Sequence, residues 1–281
     1  MKVKKLYHLH TIACNHATLT LDEMVEYSLK NGYEKLIFTE HYPYPNSDET
    51  DEWTSQKTFD GFYQNFVECK KKYGNKIEMH FGCETEFPRA GREFFLNIKN
   101  DNRVEFAIFG NHKYLDMFMK DDKNETVDSL NKKYNEIKDI GTHTKKDLKN
   151  YYILSKDALK SGMFSYFAHP DLWINRYKKW DRYAKKLSKK LIRLAIKYNC
   201  TLGFNSNGLA KKIKKNLVLA YPLKYFWEMV AKHKEIKVII ESDAHKLEHI
   251  STEWLDNAYD IAISYGLKDN LVEDVTLKPL Q

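Results

Sequence analysis

The stretch KLIFTEH, residues 35–41, is a short apolar run that ends in an acidic residue and a histidine. Similar runs recur along the chain, and their length and apolar character are typical of buried strands. The runs are KLYHLH (5–10), KLIFTEH (35–41), IEMHFGCE (77–84), VEFAIFGNH (104–112), FSYFAH (164–169), TLGFNSNG (201–208) and KVIIESDAH (237–245). The sequence therefore predicts seven buried strands.

Amphipathic segments lie between these runs and carry helix start and stop signals. Thr20 and Glu23 form a capping-box pattern at the start of a helix over 20–32, which Gly32 would end. Further helices are predicted over 59–74, 183–199, 221–233 and 251–266, and two over 124–162 with a break near Gly141. Ser251 is the expected start of the helix over 251–266.

Strands that alternate with helices indicate parallel βαβ units, which close into a barrel or form an open sheet. No GxGxxG motif follows the first run, which argues against a dinucleotide-binding sheet. No low-complexity linker or repeat divides the chain, so we predict one α/β domain over residues 1–281.

The chain carries 46 basic and 39 acidic residues, for a formal net charge of +7. Many lysines fall on helical segments such as 183–199, where a solvated helix face is the simplest explanation. No aromatic and basic binding motif accompanies them, so a nucleic-acid partner is disfavoured. A mildly positive field would favour a small phosphorylated substrate.

The four cysteines are scattered and form no CxxC pair, which favours a reducing cytoplasm over a disulfide framework. The first residues, MKVKK, lead directly into polar YHLH, so no signal peptide is predicted. No segment approaches the ~20 apolar residues of a membrane span, and we predict no membrane partner. The sequence does not indicate an oligomeric state.

Ionisable side chains are concentrated where the predicted strands end. Seven of the 11 histidines lie at or just after a strand end, together with two carboxylates. These residues are His8, His10, His16, His41, Glu84, His112, His169, Asp243 and His245. In a parallel barrel all such ends meet on one face, so we expect the nine side chains to converge there. His80, His143, His233 and His249 lie outside this pattern and are interpreted as surface or local structural residues.

A single histidine at a strand end is more often a structural residue than a ligand. The pair His8 and His10 is a stronger signal, because side chains two residues apart on a strand point the same way. One catalytic Zn²⁺ takes about three protein ligands. Nine potential ligands therefore predict two or three ions, and imidazole-rich sites suit Zn, Fe, Mn or Co. Ions ~3.5–4 Å apart are typical of phosphoryl hydrolysis.

Eight motifs follow one another in a fixed order. They are YHLHTIACNHA (7–17), FTEHYPY (38–44), GCETEF (82–87), GNHKY (110–114), AHPDL (168–172), NSNGLAKK (205–212), AYP (220–222) and ESDAHKLEHI (241–250). This ordered set resembles the PHP (polymerase and histidinol phosphatase) family of metallophosphoesterases, and most closely its stand-alone histidinol-phosphatases. The resemblance implies a distorted (β/α)7 barrel, similar to a TIM barrel, with a trinuclear metal site.

The resemblance also implies which residues hold each ion. The implied groups are His8, His10, Glu84 and Asp243 for the first ion, Glu84, His112 and His169 for the second, and His16, His41 and His245 for the third. Glu84 would bridge two ions around a shared hydroxide that attacks phosphorus, and Glu84, Asp243 and His245 are the implied catalytic residues. Glu86 competes with Glu84 for this role. Asp171 would orient a ligand imidazole or cap a helix.

The sequence departs from the family where an arginine often follows the NxxG-Leu motif. Ala210 occupies that position, followed by Lys211 and Lys212. A lysine is a point charge rather than a bidentate fork, so it would grip phosphate less selectively. The candidate substrate-binding residues near the strand ends are Lys113, Arg176, Asn205 and Lys211, and Arg89 is a further basic residue.

Three functions follow from these residues. The first is a metal-dependent histidinol-phosphatase of histidine biosynthesis, which the resemblance implies. The second keeps the chemistry and changes the substrate to another small phosphate ester or a nucleic-acid end. The third is a non-enzymatic metal-binding or nucleic-acid-binding module, which the basic composition suggests and the intact ligand set argues against.

Overall fold

The computed structural model describes residues 2–44, 55–120, 126–137 and 142–280. Parallel strands β1 to β7 pair in sequence order in one sheet. The strands are β1 Lys5–Leu9, β2 Lys35–His41, β3 Glu78–Thr85, β4 Phe106–Phe109, β5 Phe164–Phe167, β6 Thr201–Asn205 and β7 Val238–Glu241. The predicted (β/α)7 barrel is confirmed.

The barrel closes between its first and last strands. The chain just after β7 runs beside β1, where Ser242 N donates to Tyr7 O at 2.9 Å and Ala244 N donates to His8 O at 3.0 Å. His10 N returns a hydrogen bond to Ala244 O at 3.0 Å. Strand order and closure together place every strand C-terminus on one face.

Helices cover the outside of the barrel. They are α1 Leu21–Lys30, α2 Gln56–Tyr73, α3 Arg92–Asn97, α4 Val127–Ile137, α5 Lys145–Ser161, α6 Ile174–Tyr177, α7 Arg182–Lys197, α8 Ser206–Lys214, α9 Lys224–Val230 and α10 Thr252–Ser264. The capping box of Thr20 and Glu23 and the start at Ser251 are confirmed. The predicted break near Gly141 falls outside the described residues. None of the described helices is long and apolar enough to cross a membrane.

Several boundaries differ from the prediction: β4 and β7 are shorter than the predicted runs, and two further differences concern α8 and α9. The run 201–208 is not one strand, because β6 ends at Asn205, whose side chain accepts from Gly208 N at 2.7 Å and caps α8. The predicted helix over 221–233 begins only at Lys224, because Leu223 before it is extended. Both errors arise where the chain turns at the barrel mouth.

The opposite end of the barrel is sealed by the segment 271–280. Val275 packs inside the barrel against side chains that include Tyr7 and Phe106. Its backbone N donates to the Tyr7 hydroxyl at 2.9 Å, and Lys5 Nζ forms an ion pair with Asp274 at 2.6 Å. The barrel is therefore filled by side chains at one end and open at the other.

Candidate metal centre

The carboxylate of Glu84 lies at the centre of the open mouth, and five imidazoles surround it. They are His8, His10 and His41 around Oε2 and His112 and His169 around Oε1, with nitrogen-to-oxygen distances of 2.9–3.6 Å. Glu84 itself is 2% exposed. One buried carboxylate on β3 thus contacts residues from β1 and β2 and from the segments after β1, β4 and β5.

The other three predicted ligands lie beside this group. Asp243 Oδ1 is 3.7 Å from His10 Nε2 and 3.4 Å from His245 Nδ1. His245 Nε2 is 2.8 Å from His16 Nε2, and the two rings stack with centroids 4.5 Å apart. The structure therefore brings all nine predicted ligand residues to the same end of the barrel.

The donor atoms fall into overlapping groups compact enough to hold an ion. One group, His16 with His41 and His245, matches the implied third site, and another, His8 with His10 and Asp243, contains three of the four residues implied for the first ion. Two others contain Glu84, which joins His8 and His169 in one and His10 and His41 in the other. Glu84 is thus shared between groups, which is the position a bridging carboxylate needs.

The backbone is distorted where it presents these side chains. His8, His169 and Asp243 have φ of 65°, 31° and 47°, a region that residues with a Cβ rarely adopt. The β1 register also shifts between Leu6 and Leu9. Tyr7 points into the barrel, and the shift lets His8 point inward too, while Leu9 packs outside. Such strain concentrates at functional sites, where surrounding contacts hold it.

Three further carboxylates hold the outer nitrogens of ligand imidazoles. His8 Nδ1 is 3.0 Å from Glu241 Oε2, His10 Nδ1 is 3.4 Å from Glu40 Oε2, and His112 Nδ1 is 3.2 Å from Glu86 Oε1. A proton kept on each Nδ1 leaves Nε2 free to bind a metal, an arrangement common in metal sites.

Sequence reasoning missed Glu40 and Glu241. The available signal was an acidic residue inside an otherwise apolar run, because a buried carboxylate requires a partner. Both side chains are fully buried. Glu86, considered above as a rival to Glu84, orients His112 instead.

The donor set fits divalent metal ions. Nε2 of His8 and Nε2 of His10 are buried and make no hydrogen bond with any of the described residues, although each lies near the Glu84 carboxylate. Buried polar atoms without partners are rare, and a cation between nitrogen and carboxylate would satisfy them. Imidazole and carboxylate are ligands that transition metals prefer.

Burial and neighbouring charges shift the pKa values of these groups, and which effect is larger differs from residue to residue. Burial lowers the pKa of His10 to about 3, and the charge on His8 adds to the effect. Burial likewise lowers the pKa of His245 to about 3. At His8, burial is outweighed by Glu84 and Glu241, which raise the pKa well above its usual value. At Glu84, burial is outweighed by His8 and His112, which hold the pKa well below its usual range.

A cavity of about 550 Å³ opens above the metal ligands. This volume suits a small organic substrate. Its described wall carries three lysines, Lys211, Lys214 and Lys246, and one further carboxylate, Glu248. Lys211 also lies close enough to Asp243 to lower the pKa of that carboxylate, after burial and the imidazoles are counted.

The other candidate substrate-binding residues lie elsewhere. Lys113 is 1% exposed, and its Nζ donates to Asn131 Oδ1 at 2.7 Å and to the Tyr44 hydroxyl. Arg176 lies in α6 and is absent from the described cavity wall. Asn205 is buried, and its Nδ2 donates to Glu241 at 3.2 Å and to Asp243 at 3.0 Å. Asn205 therefore positions carboxylates, and Lys211 alone of the four faces the cavity.

Asp171 and His249 also have defined roles. Among the described residues no imidazole donates to Asp171, whose Oδ2 accepts from Leu223 N and from Trp227 Nε1 at 3.1 Å. These bonds fix the chain that carries Tyr221 into the cavity wall. His249 Nδ1 accepts from His245 N at 3.1 Å, so it supports a ligand, as a local structural residue would.

A parallel barrel with these donors at its open mouth defines the class of metal-dependent hydrolases. Comparison with known families agrees, since the PHP domain model matches residues 7–207. The chain belongs to the PHP domain family.

One curated relative and a solved structure are similar over most of the chain, and a second relative is similar over a shorter stretch. A "Probable histidinol-phosphatase" of Deinococcus radiodurans is 24% identical over 256 residues, which cover 90% of this chain and 91% of that protein. The histidinol-phosphatase of Bacillus subtilis is 33% identical over 86 residues, 28% of this chain and 32% of that protein. The histidinol phosphate phosphatase structure from Lactococcus lactis, complexed with zinc, L-histidinol and phosphate, has a TM-score of 0.67 and 14% identity, covering 99% of this chain and 98% of that chain.

Proposed function

We propose that this protein is a metal-dependent phosphomonoesterase that hydrolyses L-histidinol phosphate to L-histidinol and phosphate. The observation that carries the proposal is the contact of the buried Glu84 carboxylate with five imidazoles. The relatives named histidinol-phosphatase support the choice of substrate.

We assign the donors to three ions as the resemblance implies. His8, His10, Glu84 and Asp243 would hold the first, Glu84, His112 and His169 the second, and His16, His41 and His245 the third. Bound divalent ions would lower the pKa of water toward about 7 and neutralise charge on the phosphate. Zinc, iron, manganese and cobalt all suit this donor set, and metal analysis of the purified protein would identify the ions.

The chain's own side chains prepare the site for this chemistry. Glu241 and Glu40 keep a proton on Nδ1 of His8 and His10, so that Nε2 of each ring faces Glu84. Lys211 would attract the phosphate group from the cavity wall. The ring of Tyr221 lies beside the His169 ring, with centroids 6.0 Å apart. It narrows the approach to the predicted metal ligands and helps to exclude water.

Substitution of two ligands tests the proposal. We expect Asp243→Asn and His10→Ala to abolish most phosphate release from histidinol phosphate and to reduce bound metal, while circular dichroism stays unchanged. His233→Ala, at an exposed histidine, is the matched control and should retain full activity. Wild-type turnover in both ligand variants would overturn the assignment.

The cavity charge favours a second candidate substrate. Beyond the predicted ligand residues, the described wall carries three lysines against one glutamate, a balance that would attract an ester with a second anionic group, whereas histidinol carries a cationic amine. Another small phosphate ester, or a nucleic-acid end, would carry such a second anionic group. Values of kcat/KM for histidinol phosphate, other monoesters and a labelled oligonucleotide, measured side by side, decide between them.

We further infer that residues 1–281 act as one domain, because β1 pairs with the chain after β7. A cytoplasmic location is consistent with four buried cysteines that form no disulfide. Cell fractionation with an antibody would test it.

A further inference from the structure

The positive charge of the protein is concentrated on two adjacent helices, α5 and α7. Helix α7 has seven lysines and arginines and no acidic residue, and α5 has five lysines and two aspartates. Their combined charge is +10 against +7 for the whole chain, so all other residues together carry −3. Such asymmetry within one domain marks a surface for an anionic partner.

A groove between these helices combines the charge with aromatic rings. Its cavity of about 360 Å³ is lined by Lys145, Lys149, Tyr152, Tyr183, Lys186 and Lys190, above Leu148 and Leu187. The helical spacing places these residues in two facing rows. Sequence reasoning favoured a solvated face because no aromatic and basic binding motif accompanied the lysines. The fold supplies the aromatic residues by bringing Tyr152 of α5 next to α7.

Two of the four lysines of the groove contact tyrosine rings. Lys145 Nζ lies 4.3 Å from the centroid of Tyr183, and Lys190 Nζ lies 4.3 Å from the centroid of Tyr152. Among the described residues, no carboxylate forms an ion pair with Lys149, Lys186 or Lys190. A cation held only by an aromatic face can move to a phosphate at small cost, and the ring then becomes available for stacking.

We propose that the groove of α5 and α7 binds single-stranded nucleic acid, with lysines on the backbone phosphates and bases stacked on Tyr152 and Tyr183. Aromatic rings between basic rows are the features that bind single strands without sequence preference. The leucines of the groove are buried below the rings, so the surface lacks the exposed apolar side chains that enter a lipid headgroup layer. An acidic protein segment would use the charge but not the rings.

The test measures binding of a short fluorescein-labelled DNA strand of mixed sequence to the full-length protein by fluorescence anisotropy. We expect binding at low salt that weakens steeply as salt rises. The double variant Lys186→Gln/Lys190→Gln should weaken binding about tenfold or more. Tyr152→Leu/Tyr183→Leu should also weaken it at least about fivefold, since stacking contributes about 1–3 kcal/mol per base. Phosphatase activity should be unchanged in both.

Matched controls make each outcome decisive. Lys30→Gln/Lys232→Gln removes the same charge at exposed positions outside the groove and should have little effect. The proposal is overturned if the wild type does not bind, if this control weakens binding equally, or if only Lys214→Gln/Lys246→Gln at the mouth weakens it. It is also overturned if the tyrosine variant binds normally and polyglutamate displaces DNA, which would indicate an acidic protein partner.

Discussion

At the scale of single residues, the site depends on how each imidazole is held. Nε2 of His8 and Nε2 of His10 face the Glu84 carboxylate because Glu241 and Glu40 occupy the opposite ring nitrogens. Glu241 also accepts from His169 N at 2.8 Å, so one carboxylate fixes two ligands. The supporting acids are therefore as necessary as the ligands themselves.

Replacing Glu241 tests this support. Glu241→Gln keeps the shape of the side chain but replaces the carboxylate beside His8 Nδ1 with a neutral amide. We expect metal affinity to fall about 10- to 100-fold. Competition with a fluorescent chelator measures the change. Glu235→Gln at an exposed position is the control, and an equal loss there would contradict the role of Glu241.

Metal binding should also depend on pH. The neighbouring carboxylates raise the pKa of His8 above its usual value, so His8 is protonated near neutral pH in the metal-free protein. A metal must displace that proton, and affinity should therefore rise from about pH 6 to about pH 8. His10 and His245 have a pKa of about 3 and are neutral throughout this range.

Proton release on metal addition in weak buffer measures this linkage. Glu241→Gln removes one charge that raises the pKa of His8. The metal affinity of this variant should therefore stop rising at a lower pH than the metal affinity of the wild type. Affinity that is flat across the range would contradict the prediction.

The strand-end pattern was sufficient to predict the nine clustered residues, because it depends only on strand order. The same pattern could not predict which basic side chain faces the cavity. Lys113 follows His112 directly, yet the turn directs its Nζ to Tyr44 and Asn131 inside the protein. Lys214 of α8 and Lys246 of the segment after β7 both line the cavity. Such directions depend on loop geometry, which short-range patterns do not record.

At the scale of elements, the junction of β6 and α8 shapes the cavity wall. The helix starts directly at Ser206, and Gly208 in its first turn lies against the ring of Tyr221. A Cβ at this position would lie 2.4 Å from the ring, closer than any real contact. Asp171 fixes the same segment from the other side through Leu223 and Trp227.

Gly208→Ala should therefore displace Tyr221 from the cavity wall. We expect kcat/KM to fall about tenfold or more, because small misplacements at an active site have large effects. Gly61→Ala in α2 is the matched control, since a Cβ there has no atom within 4 Å and should stabilise the helix slightly. Steady-state kinetics and thermal unfolding of both variants test this, and full activity in Gly208→Ala would contradict it.

The bulge in β1 shows why element boundaries were harder to predict than element order. The interpretation of His8 and His10 assumed regular alternation, which would place Tyr7 and His8 on opposite faces. The register shift between Leu6 and Leu9 places both inside. A bulge depends on tertiary contacts that the local sequence does not reveal.

At the scale of the whole molecule, the closed end of the barrel supports the open one. Segment 271–280 inserts Val275 among the inward side chains, and Asp274 pairs with Lys5 and Lys35 at the strand starts. Pro279 forms an antiparallel bridge with Phe106 of β4. Segment 271–280 thus contacts several strands at their starts. The opposite ends of these strands lead into the predicted ligand residues.

Val275→Ala should destabilise the fold by about 2 kcal/mol, from lost apolar burial and the cavity it leaves. Val218→Ala is the control, because Val218 is 71% exposed and its loss should cost little. Denaturant midpoints of the two variants give the comparison. Equal midpoints would show that segment 271–280 adds nothing to barrel stability.

The pairing of β1 with the chain after β7 also governs when the metal centre can exist. His8 and His10 are translated more than two hundred positions before Asp243 and His245. The nascent chain therefore carries an incomplete set of donors until the segment after β7 has emerged from the ribosome. Assembly of the predicted metal centre is a late event, because it requires this segment to fold back against β1.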